Sequence, residues 1–204
     1  FTTNPLFRPT RRREWLTHQH LNRTNIMTVK LYLESIEAAY AQTFDAQVVA
    51  IDGNSIVLDR TLFYPLGGGQ HWDTGVLSGP NGDINVQEVR GRGDVQHTVE
   101  TEHQLVVGDE VRGTVDWNTR YAHMRMHTAQ HLMSGIAYEL FNGVRTVGNQ
   151  IHAEKSRIDF NPISFDEAMM ERLVDVVNGH INTGLEVSDS VMTREEINTI
   201  MPPD

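Results

Sequence analysis

Two histidines four residues apart, His127 and His131, stand in a stretch with helical spacing, NTRYAHMRMHTAQHLMSGIAYELFNG. On a helix, residues i and i+4 project from one face a turn apart, so two imidazoles can share a metal ion. A metalloprotease would need Glu immediately after the first histidine, and position 128 is Thr. His123 continues the same face one turn earlier, as a third ligand or as a partner behind the pair. Zinc normally takes three or four protein ligands, so two histidines alone do not close a site. The chain has ten histidines and no cysteine, so any metal held within it must use His, Asp or Glu. The bland alternative for the pair is two polar residues on a half-buried helix face.

The second unusual stretch is LDRTLFYPLGGGQHWDTG, residues 58–75. Three successive glycines, Gly67, Gly68 and Gly69, open backbone torsions closed to other residues and let main chain approach a ligand. Gln70 follows with an amide that both donates and accepts, and Thr61 precedes with a hydroxyl. No Gly-Lys-Ser/Thr is present, so this is not a phosphate-binding P-loop, and the dinucleotide spacing GxGxxG is absent too. A tight turn is the plainer reading of the glycines.

These residues need a scaffold. From Gln47 to Gly113 the text alternates apolar and polar in short runs, with a hairpin signal at Asp52-Gly53-Asn54. Such runs predict an antiparallel sheet or small barrel. At Asn118 the period changes to 3.6, with Asp116 or Asn118 as cap and Asn142-Gly143 as stop. One or two strands are expected within GNQIHAEKSRIDF, and a second helix beginning after Ser164, with Asp166 and Glu167 in its first turn, and running to about Thr183. The expected fold class is α+β: an N-terminal small β-barrel-like subdomain followed by a mixed α/β subdomain. The expected division is 1–26 as an unstructured extension, 27–117 as a glycine-rich β subdomain, and 118–204 as an α+β subdomain that is cut short. Residues 1–26 are rich in arginine, hold two prolines and show no period, and Met27 reads as the natural start.

The chain has 204 residues, 39% of them apolar and 22% charged, a globular composition with no apolar run long enough to span a membrane. Net charge is −10, unevenly spread: residues 27–111 carry −9 and 158–204 carry −8, while 112–157 carry +3. An acidic chain is a poor general binder of polyanions, but a basic window can mark one nucleic-acid-facing surface. Arg120, Arg125, Arg145, Lys155 and Arg157 are the candidates for it. Nothing in the sequence points to a protein partner.

Taken together, Thr-x-Phe-Tyr-Pro-x-Gly-Gly-Gly-Gln-x-x-Asp-x-Gly (61–75), Val-Asp-Trp with Arg120, Met-Arg-x-His-Thr-Ala-x-His-Leu (124–132) and KSRIDF (155–160) resemble the alanyl-tRNA editing domain in order and spacing. The resemblance covers about 27–200, and the opening at Met27 is similar to free-standing AlaX-type proteins. It implies a cytoplasmic, zinc-dependent hydrolase that frees serine or glycine from mischarged tRNA(Ala) at the acceptor end. It implies zinc on His127 and His131, completed by a Cys and a further His in a downstream segment that this sequence does not contain, as expected of a fragment. Thr61 would select by hydrogen-bonding a serine hydroxyl. Gly68, Gly69 and Gln70 would form the pocket wall with backbone donors near the developing oxyanion. No general base is assigned. The alternatives are a non-catalytic tRNA- or zinc-binding module and an excised piece of a full synthetase.

Overall fold

The computed structural model describes residues 27–100, 102–161, 164–188 and 190–200. The expectation for residues 1–26 lies outside the described residues.

The chain opens with a two-residue strand β1 (Val29–Lys30), a 3₁₀ turn (Leu31–Leu33) and one helical turn α1 (Ile36–Ala39), capped by the Ser35 hydroxyl. Strand β2 (Thr43–Asp52) then turns through Gly53 and Asn54 into β3 (Ser55–Leu58), where the Asp-Gly-Asn signal placed a hairpin. A short β4 (Arg60–Thr61) pairs in parallel with β1. Strands β5 (Gly75–Gly79), β6 (Gly82–Arg90), β7 (Gln96–Val99) and β8 (Glu110–Val115) complete the sheet. It closes as a six-stranded barrel in the order β2-β3-β7-β6-β5-β8, because β8 pairs with both β2 and β5. Period-two alternation turns Phe44, Ala46 and Val48 of β2 and Val111 and Val115 of β8 inward. Gly113 sits between the latter two, and a Cβ there would lie 2.1 Å from the Phe44 ring, so the missing side chain makes room for an aromatic one.

Helix α2 (Trp117–Leu140) leaves the barrel directly from β8. Asp116 caps it by accepting from the Thr119 amide, and its own amide donates to Thr74 O at 2.8 Å. The helix stops at Asn142 and Gly143, both in the left-handed region, as the Asn-Gly pair predicted. Strands β9 (Arg145–Gln150) and β10 (Arg157–Asn161) form an antiparallel hairpin beyond it. Helix α3 (Glu167–Asn182), capped by Asp166, lays Leu173 and Val177 against Ile136, Ala137 and Val144, and a short α4 (Arg194–Ile200) follows. This is the α+β arrangement expected from the text, with two separate apolar clusters. No helix among the described residues is long and apolar enough to cross a membrane.

Candidate active site

The glycine-rich loop is closed at its base. Asp73 N–H donates to Tyr64 O (3.0 Å), and Tyr64 N–H donates to the Asp73 carboxylate (2.7 Å). The same carboxylate oxygen receives Nε of Arg120 at 2.8 Å, and the Arg120 fork also reaches Leu62 O and Ala39 O. Arg120 and Asp73 are 3% and 1% exposed. Such a pair, with most donors used, registers one element on another. Here it fixes α2 against the loop and against α1. Arg120 lies two helical turns before His127 and shares its face.

At the loop tip Gly67 and Gln70 bond each other's backbones, with Gly68 (φ +59°) and Gly69 (φ +82°) turning between them. Beyond the turn the loop runs as a strand beside Ile151, whose amide donates to Gly69 O and whose carbonyl accepts from His71 N–H. A Cβ on Gly69 would stand 1.7 Å from Asn149 Oδ1, so a side chain here, besides the left-handed backbone it would have to adopt, would displace the Asn149 amide. Asn149 in turn donates to the buried Gln130 of α2 at 3.0 Å.

This stitching aims the buried Gln70 side chain at the helix. Its Oε1 lies 2.7 Å from His127 Nδ1, and the His127 and His131 rings stack at 5.0 Å, 15° from parallel. Burial, and then the neighbouring His131, hold the His127 imidazole below its usual pKa, so the ring is neutral near pH 7. An amide oxygen only accepts, so Nδ1 carries the hydrogen and Nε2 keeps its lone pair. That is the tautomer a metal ligand needs, held by the kind of outer partner such ligands use. The pair therefore fits two positions of a zinc site. Among the described residues no group of three or more His, Cys, Asp or Glu is arranged to hold an ion.

In front of these groups lies a cleft of about 240 Å³, walled by Tyr32, Tyr64, Gln70, Arg120, Met124 and His127. Burial raises the pKa of both tyrosines, so each keeps its phenolic hydrogen, and Tyr64 donates its own to Gly67 O at 3.3 Å.

Thr61 is not in that wall. It is fully buried in the barrel, where its Oγ1 accepts from Phe63 N–H (3.0 Å) and meets His97 Nε2 at 2.9 Å. His97 Nδ1 faces Ile56 O at 3.0 Å and must carry the ring hydrogen. Burial pushes the His97 pKa down to about 4, so Nε2 is bare and takes the Thr61 hydroxyl hydrogen. The expected bond from Thr61 to a substrate hydroxyl is not prepared here, since its hydrogen is already used.

Arg120, expected at a nucleic-acid-facing surface, is instead the buried partner of Asp73, and Arg157 is paired with Asp159 at 3.2 Å. Charge counting cannot separate a surface arginine from a buried one. The seven-residue interval from Arg120 to His127 is the signal that would have put it at the site. Tyr32 lies in a 3₁₀ turn with no readable period, and Tyr64 stands in the Phe-Tyr-Pro part of the motif without a role that its type or spacing assigns.

His123 points inward, 3% exposed, with Nδ1 lacking a hydrogen-bond partner among the described residues. It sits 6.4 Å from the ring of His71 rather than with the His127–His131 pair.

Barrel, glycine-rich loop and histidine-bearing helix together define a two-part α+β protein whose site forms where the parts meet. Residues 12–119 match the family of the tRNA synthetases class II (A). The alanyl-tRNA editing protein AlaX-M of Saccharolobus solfataricus is 39% identical over 173 residues, 83% of this chain and 71% of its own length. AlaX-M of Pyrococcus horikoshii is 36% identical over 168 residues, 79% of this chain and 73% of its own. The alanine–tRNA ligase of Pyrococcus abyssi is 40% identical over 127 residues, 61% of this chain but 14% of the ligase. The chain belongs to the alanyl-tRNA editing protein family of AlaX-M.

Proposed function

We propose that this protein hydrolyses mischarged tRNA(Ala) in trans, cleaving the ester that joins serine or glycine to the acceptor end. The observation that carries this reading is the Gln70–His127 hydrogen bond, which presents a neutral imidazole, with His131 stacked beside it, to a cleft the size of a small amino acid group. Zinc, bound by His127 and His131 together with ligands beyond the described pair, would act as a Lewis acid on the ester carbonyl or lower the pKa of a bound water.

The chain's own contributions are positional. Gln70 holds the His127 tautomer. The neutral hydroxyl of Tyr32 offers a donor at the cleft wall, while that of Tyr64 braces the glycine loop through Gly67 O. Gly68, whose added Cβ would come within 4.0 Å of His127 Cε1, leaves backbone free to approach the reacting group. Thr61, the selector that the resemblance implies, would have to release His97 before its hydroxyl could donate to a serine substrate.

The test is deacylation of Ser-tRNA(Ala), Gly-tRNA(Ala) and Ala-tRNA(Ala) with and without added zinc. Zinc-dependent release of serine or glycine, sparing alanine, is the expected result. Equal release from all three would sink the editing reading.

A second reading is a tRNA-binding module without hydrolysis, favoured by the two-ligand metal set among the described residues. Tight tRNA binding with no release at any zinc concentration would select it.

A further inference from the structure

The cleft at Gln70 and His127 is smaller than the usual range of ligand pockets, about 300–1,000 Å³, whereas a tRNA bearing its ester at the 3′ terminus must run out of it. A second groove, of about 800 Å³, adjoins the cleft and shares Ala39, Met124 and Thr128 with it. It is bounded by α1, α2 and the end of α3. At its edge three aromatic rings gather: Trp117 and Tyr121 stack at 5.6 Å, and Tyr40 of the α1 cap leans on both at 5.8 and 6.4 Å. Tyr40 and Tyr121 are 50% and 41% exposed, and the guanidinium of Arg125 stands 5.9 Å from the Tyr121 ring.

Amphipathic aromatic rings left half in water beside a cation are what single-stranded nucleic acid binders use, because every base has a face that stacks. Arg125 and Glu154 are the charged residues among those lining the groove, so its local charge is balanced. Stacking and a single cation, rather than a basic field, must then supply recognition.

We propose that this groove is the exit path of the single-stranded 3′ end, with the penultimate bases stacked on Tyr40 and Tyr121 and Arg125 beside the backbone. The proposal rests on the tRNA reading above and adds a subsite to it. Tyr40 and Tyr121 are positioning residues, distant from the reacting bond.

The experiment uses an acceptor-stem RNA hairpin with 2-aminopurine in place of the penultimate nucleotide. Anisotropy reports affinity, and 2-aminopurine emission reports stacking. The intact chain should bind and change the emission. Tyr40→Leu with Tyr121→Leu should weaken binding about tenfold or more and abolish the emission change, while Phe at both positions should restore both. Binding and emission unaffected by the leucines, in a protein that melts like the parent, would overturn the groove and leave the tRNA reading standing. No RNA binding by the intact chain would take down both. A dimer in sedimentation that Tyr121→Leu dissolves would assign the groove to a second copy of this chain instead.

Discussion

Gln70 and His127 are 57 residues apart in sequence and 2.7 Å apart at their polar atoms, one on a glycine loop and the other in mid-helix. Neither partner can shift without the other's element, because the loop base is tied to the same helix through Asp73 and Arg120. The imidazole's hydrogen is thereby assigned before any substrate arrives.

Replacing Gln70 by Leu keeps the volume and removes the acceptor. His127 should then populate both neutral tautomers, visible in long-range ¹H–¹⁵N correlations of the ring, and zinc affinity should fall by roughly 10–100-fold. A ring that stays in the Nδ1–H form would show that something other than Gln70 holds it.

Arg120→Met leaves the Asp73 carboxylate buried without its cation. The expected loss is about 3–5 kcal/mol in urea unfolding. The double variant Arg120→Met, Asp73→Leu should recover much of it, since both charges leave together. Additive losses would mean that the pair does not act as a unit.

Protonation of His97 opposes folding. Its pKa is about 4 in the barrel against about 6.5 in an unfolded chain, so between those values the unfolded state binds the extra proton. Stability contributed above pH 6.5 is therefore lost as pH falls, by about 1.4 kcal/mol per unit within that window. Urea midpoints at pH 7.0 and 5.5 should differ accordingly, and His97→Gln should flatten the slope.

Thr61→Val strands Phe63 N–H and His97 Nε2 in a dry interior, at about 1–3 kcal/mol for each unsatisfied group. Thr61→Ser keeps the oxygen and should cost less. A melting temperature unchanged by valine would show that the hydroxyl is not committed to His97.

Gly69→Ala meets Asn149 as well as the left-handed backbone, whereas Gly53→Ala, at φ +57° with nothing within 4 Å, meets only the backbone penalty of about 1–2 kcal/mol. The alanine at 69 should therefore destabilise more, and amide exchange at Ile151 should speed up in that variant alone.

Local signals announced what is local. The Asp-Gly-Asn turn, the 3.6 period of α2 with its Asn-Gly stop, and the i, i+4 histidines were all legible because each lies within a few residues. The short runs also announced a barrel-like subdomain, but not which strands close it, since β8 pairs with β2 some 65 residues earlier and no pattern within either strand names its partner. The direction of Thr61 was hidden for another reason: β4 has two residues, too few for alternation to define an inner face. Arg120 entered the charge count as a surface cation because composition is blind to burial. The glycines were legible as a turn, but only the approach of Asn149 shows what a side chain on the third of them would displace.

The strand-like pairing of Gly69 and His71 with Ile151 ties the place of the Gln70 side chain to the length of the loop before it. Gain of one residue among Gly67–Gly69 would put the residue before Gln70 in the place of its amide, and loss of one would hand that place to the imidazole of His71. Two imidazoles would then face each other where an acceptor and a donor now meet.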